Sequence, residues 1–280
     1  MSIITGLFVI GDDTPTSAFE AVVVGHKMGR GLVERNYNEF PKGSYASAPP
    51  FDDKVMPLVP WDEVPDRIAE LERTKSRLSD IYQHPSLDQN GQGYCWAYSG
   101  TGCVQVLREK NNQPYQRLSA HSVAWVIKNG RDQGGWGAAG LDFLRERGVQ
   151  PITTWPEKSM NGREYNTSAN WEVAKEYRVT EGFVDLEPAA YDRELSVHQV
   201  ISCLLNYIPV IGDFNWWGHS VAMLDVLDLY PTKSKNDPRR YGTNILNSWT
   251  DRWGNKGRGI LKDSKAFPNG ASAPRALWGN

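Results

Sequence analysis

The stretch Gln89-Asn90-Gly91-Gln92-Gly93-Tyr94-Cys95-Trp96-Ala97-Tyr98-Ser99 constrains this chain most: a polar loop broken by two glycines runs straight into a helix that opens on cysteine. Peptide N–H groups at a helix start lack intrahelical partners and carry partial positive charge, which favours a thiolate over a thiol. Cys95 is therefore the first candidate nucleophile. Upstream, the side-chain amide of Gln89 can turn back across the loop and share a developing oxyanion with the Cys95 peptide N–H. The same residues also suit a plain helix end docked in a core, since Cys-Trp-Ala-Tyr is apolar. The rest of the chain has to decide between these readings.

With 280 residues, 40% of them hydrophobic, the chain can bury one large core or two modest ones. A net charge of −2 with dispersed Lys and Arg gives no field for nucleic acid or an anionic membrane. Neither is expected as a partner. Cysteines stand only at 95, 103 and 203, with no C-x-x-C pair and no His/Cys cluster at zinc spacing, so no metal or cofactor is expected. Their scarcity suits the cytoplasm or another reducing compartment. The first residues lack a basic leader and a signal-peptide apolar run, and no apolar run elsewhere reaches membrane-spanning length.

Residues 1–60 read as an extension of unassigned role. Apolar runs at Leu7 to Ile10 and Ala21 to Val24 suggest strands, and a loop is expected over Asn36 to Asp53. Residues 61–83 form an amphipathic helix and linker with Ile68, Leu71 and Leu78 on its apolar stripe. Residues 84–175 read as a helical lobe. In it a helix from Cys95 buries Trp96, Gly100, Cys103, Val104 and Leu107 and stops at Asn111, Asn112 and Pro114. A second helix follows near Ser119 to Asn129, with His121 facing solvent or a local partner. Gly134 and Gly135 then make a turn whose bare backbone can bind an extended peptide. A short helix spans Leu141 to Gly148, and Pro151 to Asn170 is expected to be irregular. Residues 176–280 read as a β lobe: strands near Tyr177 to Val184, Pro209 to Phe214, Ser220 to Leu229 and Gly242 to Trp249, a helix over Val197 to Leu205, and a last strand near Ile260. His198 is expected on the surface, and Thr232 to Arg240 as an exposed excursion.

A cysteine nucleophile needs a base within hydrogen-bond reach and a group that orients the base. His219, in Trp217-Gly218-His219-Ser220, opens a strand and is expected at a sheet edge. Asn247, in Asn247-Ser248-Trp249, ends another strand where it can hold an imidazole, with Trp249 able to shield that bond from water.

With Gln89, Cys95-Trp96-Ala97, Gly218-His219-Ser220 and Asn247-Ser248-Trp249 in this order, the chain resembles the papain-like cysteine peptidases over roughly residues 84 to 280. In that family the His and Asn lie about 130–150 residues after the cysteine, close to the separations here. The resemblance implies an α+β, two-lobed fold: a helical lobe facing an antiparallel, barrel-like β lobe, with the cleft between. It also implies a Cys95 nucleophile forming an acyl-enzyme, His219 as base and then acid, Asn247 orienting the ring, and Gln89 as oxyanion donor. Trp96 and Trp249 support these groups, and a thiolate–imidazolium pair is expected at rest. Gly134, Gly135, Trp217 and Gly218 are the implied binding positions for a peptide or protein substrate, and Asp213, Trp216 and Trp217 are candidates for the specificity pocket. The family's disulfide positions are here Gln92 and Asp132. Residues 1–83 lack the usual helical propeptide signature, leaving three readings: a cleft-filling propeptide, a packing extension, or a domain that binds an assembly partner. The implied activity is peptide-bond hydrolysis. The alternatives are a catalytically idle binding module and an amidase or transpeptidase on the same triad.

Overall fold

In the strand that begins at His219, Val221 and Met223 enter one hydrophobic cluster while Ala222 and Leu224 enter another. Successive strand side chains point to opposite faces, so a run of consecutive apolar residues marks a strand covered on both sides. Ile245 and Leu246 divide in the same way, as do Val210 and Ile211. One sheet thus separates two cores.

The structure is a computed structural model that describes residues 8–20, 28–45 and 57–275. Its sheet contains β1 (Val9–Ile10), β2 (Phe183–Asp185), β3 (Val210–Phe214), β4 (His219–Asp228), β5 (Tyr241–Leu246), β6 (Arg258–Leu261) and β7 (Gly270–Pro274). The spatial order is β1-β6-β5-β4-β3-β7-β2. Pairing is antiparallel except between β1 and β6. The Cys95–Lys110 helix lies on one face, buried from Cys95 to Arg108, with the Ala120–Ile127 and Gly137–Glu146 helices around it. The chain leaves this helix through Asn112, whose φ is +55°, and Pro114. Covering the other face are the Arg193–Leu205 helix, capped by Asp192 on the Leu195 N–H, and the Val64–Thr74 helix, which buries Ile68 and Leu71. Cys103 and Cys203 are free thiols, one in each core.

Several expectations change. The Tyr177 to Val184 strand shrinks to β2, because Lys175–Tyr177 is a 3-10 turn, and β7 adds a strand between β2 and β3. Short helices at Gly162–Tyr165 and Ser168–Ala174 interrupt or follow the irregular stretch. The Gly137–Glu146 helix starts earlier than expected. His121 does not face solvent: it is fully buried, with Nδ1 2.7 Å from the Tyr98 hydroxyl. His198 is held rather than free, with Nε2 2.7 Å from the Val59 carbonyl and its ring stacked on Trp61. At the end of the 232–240 excursion Arg240 is buried and forks onto Asp228 at 2.8 and 2.6 Å. Of the extension, Val9–Ile10 pairs with Ile260–Leu261, whereas Ala21 to Val24 lies outside the described residues. No helix among the described residues is long and apolar enough to cross a membrane.

Candidate active site

A short ladder brings the catalytic candidates of the two lobes together. Gln89 N–H donates to the Ser248 carbonyl at 3.0 Å, Thr250 N–H donates to the Leu87 carbonyl at 3.1 Å, and Asp88 bridges Trp249. The loop before Cys95 is therefore laced to the loop carrying Asn247. On its other side Gly93 N–H donates to Asp132 Oδ1 at 2.7 Å. A hydrogen bond joins these two loops where the resemblance would place a disulfide. The Trp96 indole donates to the Gly93 carbonyl at 3.1 Å, and its ring packs so closely on Gly135 that a Cβ there would sit 2.8 Å from it.

His219 is the first residue of β4, the centre of the sheet, so the imidazole is fully buried and not at a sheet edge. Its Nε2 lies 2.8 Å from Asn247 Oδ1. That oxygen also accepts the Ser248 N–H at 2.7 Å, which fixes the orientation of the amide. A carbonyl oxygen can only accept, so Nε2 carries the proton and Nδ1 keeps its lone pair. Nδ1 is buried and has no hydrogen-bond partner among the described residues. Trp249 stacks on the ring at 4.5 Å and Trp217 meets it edge-on at 4.8 Å. The next peptide N–H, that of Ser220, lies close enough to the Cys95 sulfur to favour its thiolate.

A segment that sequence reasoning left without a role lies across this site. The Gly29 carbonyl accepts from Gln89 Nε2 and from the Trp249 indole, both at 2.9 Å. Gly135 N–H donates to the Gly31 carbonyl and Val33 N–H to the Gly135 carbonyl, both at 2.9 Å, while Leu32 N–H reaches the Gly218 carbonyl at 3.2 Å. Gly135 and Gly218 thus hold a peptide by hydrogen bonds, Gly134 leaves room for it, since a Cβ there would sit 2.5 Å from the Gly31 carbonyl oxygen, and that peptide is the chain's own. Two glycines permit the approach: a Cβ on Gly29 would sit 2.2 Å from the Gln92 carbonyl oxygen, and one on Gly31 would sit 2.1 Å from that of Gly93. The strap is clamped at its far end, where Arg35 forks onto Asp185 at 2.9 Å through both nitrogens and also donates to the Phe40 and Pro41 carbonyls. The sequence cue was Gly29-Arg30-Gly31, which carries no periodicity and so gives no sign of a partner.

The strap changes the electrostatics. Burial pushes the Cys95 thiol up to about 12, outweighing the N–H groups of Ser220, Gly31 and Trp96 that favour the thiolate. Burial also pushes His219 down to about 4, against the pull of Asn247. In this closed state burial thus works against both the thiolate and the imidazolium, and so against the ion pair expected at rest. Asp213 stands nearby on β3, opposite Ser220, and burial lifts its carboxyl to about 6. Trp216 is exposed and stacks on Trp217, next to Phe19.

The global arrangement matches that of known structures. Xylellain, a cysteine protease from Xylella fastidiosa, superposes with a TM-score of 0.58 at 16% identity over 91% of this chain and 100% of its own. The fold is that of the papain-like cysteine proteases. Digestive procathepsin L 3 of the Tenebrio molitor larval midgut gives 0.55 at 15% identity over 89% of this chain and 84% of its own. The ragweed pollen allergen Amb a 11, a cysteine protease in its proform, gives 0.54 at 13% over 74% and 65%. No protein-family model and no curated protein matches the sequence. The papain-like fold is α+β and two-lobed, as the resemblance implied, and the candidate residues meet where its lobes face each other.

Proposed function

We propose that this chain is a cysteine peptidase, self-covered by residues 28–45. Cys95 attacks the substrate carbonyl, and His219 Nδ1 takes the thiol proton and then delivers it to the leaving amine. Asn247 holds the ring through Nε2, and Gln89 Nε2 with the Cys95 N–H receives the oxyanion. Water then attacks the thioester with His219 as base, releasing the acid and restoring the thiol. The observation that carries this reading is the strap: the cleft binds an extended peptide through Gly135, Gly218 and Gln89 directly over the thiol. The strap is not presented as a substrate: its Gly31 N–H lies toward the sulfur, where a substrate must offer a carbonyl carbon. Two of the structural neighbours are, by name, a procathepsin and a proform. Incubating the purified protein with a peptide library and sequencing the products tests the proposal. Internal cleavage supports it, ligated or only deamidated products point to a transferase or amidase, and no turnover by strap-displaced protein points to an idle module.

Two outcomes follow from the geometry. Asn247→Ala removes a hydrogen bond to a ring that becomes cationic, an interaction worth about 1.5–3 kcal/mol, so kcat/KM should fall roughly 10- to 150-fold, read by progress curves on a cleaved peptide. The second outcome concerns the charge of His219. Burial disfavours the imidazolium, so in the closed protein NMR should show the ring neutral at pH 7 and protonating only as pH falls through about 4. Once the strap is displaced, the thiol can pass its proton to Nδ1, and the same resonance should report a cationic ring at pH 7.

A further inference from the structure

The strap marks where each residue of a bound chain sits, and Leu32 is the residue paired with Gly135. Beside it opens a cavity of about 170 Å³, lined by Leu32, Tyr37, Arg193, Asp213, Asn269 and Gly270. Asp213 occupies an unusual position there. Its strand neighbours are Ser220 on one side and Gly270 on the other, neither with a bulky side chain to cover it. Oδ2 accepts the Gly137 N–H at 3.0 Å. Oδ1 is shut from solvent and closes no hydrogen bond among the described residues, although the Ser220 hydroxyl lies near enough to favour the ionised carboxylate. An unmatched buried carboxylate oxygen is costly, and a site that keeps one is suited to a ligand that supplies the donor. The strap brings a cation toward this place: Arg35 lies close enough to favour the ionised carboxylate, although its guanidinium is forked onto Asp185. When the strap leaves, Arg35 leaves with it.

Resting on the peptidase reading above, we infer that Asp213 gives the cleft a preference for substrates with lysine or arginine at the residue that pairs with Gly135. The ammonium or guanidinium enters the space vacated by Leu32 and Tyr37 and donates to Oδ1, while Oδ2 stays on Gly137. The pairing also acts on the nucleophile. The Asp213 charge disfavours the Cys95 thiolate, so a substrate cation that offsets it makes the thiolate easier to form.

The competing role for Asp213 is structural, as an acceptor for the first N–H of the Gly137–Glu146 helix. Asp213→Asn separates the two, because it keeps an acceptor and the side-chain shape and removes the charge. Full-length protein and the full-length Asp213→Asn variant, each carrying Arg35→Ala to open the cleft, are treated with peptidyl epoxides bearing lysine or norleucine at this position. The rate of Cys95 modification is read by mass spectrometry, alongside hydrolysis of the matching peptides. The expected result is faster labelling by the lysine probe, and a loss of about 10- to 100-fold in that preference in Asp213→Asn, with the norleucine rate equal to or above that of the Asp213 protein because a charge that disfavours the thiolate is gone. A preference for norleucine, an unchanged lysine preference in Asp213→Asn, an equal loss for both probes, or no labelling at all overturns the assignment. Asp213-dependent lysine labelling without peptide hydrolysis keeps the subsite and removes the peptidase.

Discussion

Cys95→Ala is expected to abolish peptide hydrolysis, lowering turnover by roughly four to six orders of magnitude, while leaving the thermal unfolding midpoint close to the parent's. The size follows from the chemistry: without the sulfur no acyl-enzyme can form, and what remains is the aid given by the oxyanion donors and by binding. The small stability effect follows from position. Cys95 is the first residue of its helix, alanine is a good helix former, and only one buried atom is lost. Cys103 and Cys203 are the internal controls. Both are fully buried in hydrophobic clusters, and burial alone accounts for most of the upward push on their thiols. Their alanine variants should keep turnover. Comparing initial rates and calorimetric melts across the three variants checks the prediction, and residual hydrolysis in Cys95→Ala near the parent's rate would place the chemistry elsewhere.

The second large effect concerns the strap. Arg35→Ala leaves the Asp185 carboxylate buried without its guanidinium while the strap stays docked, whereas water can reach it once the strap lifts. Breaking a buried ion pair by removing one partner costs about 3–5 kcal/mol. That penalty falls on the closed state, so the open fraction should rise by roughly two to four orders of magnitude. Cys95 is fully buried when closed, and its alkylation should rise in proportion. Gly31→Ala reaches the same end without touching a charge, because the added Cβ meets the Gly93 backbone and not a side chain that could swing away. Iodoacetamide labelling of Cys95, followed by peptide mapping, should show both variants far faster than the parent. Equal rates in all three would mean that the strap does not gate the thiol.

What could be read from the sequence divides along physical lines. Gln89, Cys95, His219 and Asn247 could be picked out as candidates because each sits in a short local motif at an element boundary, and boundaries are marked by residues such as Gly93 and Gly218. The strands β3, β4 and β5 were legible as apolar runs, since a sheet covered on both faces needs no alternation. The environments of His121 and His198 were not. A helix position says which side of the helix a residue is on, but not that Tyr98 or Trp61 will come from elsewhere to meet it. The same limit misled the reading of the thiol. A helix start does favour a thiolate, but the fold buries Cys95 fully, and that burial outweighs the N–H groups that favour the charge, one of them from Gly31, far away in sequence. The strap itself was illegible because its hydrogen bonds are backbone bonds, made by Gly29, Gly31, Leu32 and Val33 without help from side-chain pattern.

The most direct measurement is to trap the covalent intermediate. Strap-displaced protein is mixed with an activated peptide ester, quenched in acid and mapped by mass spectrometry. The expected result is an acyl adduct on the peptide that carries Cys95, absent from Cys95→Ala and long-lived when His219 is replaced. An adduct on Cys103 or Cys203, or hydrolysis proceeding with no adduct on any cysteine, would contradict the account.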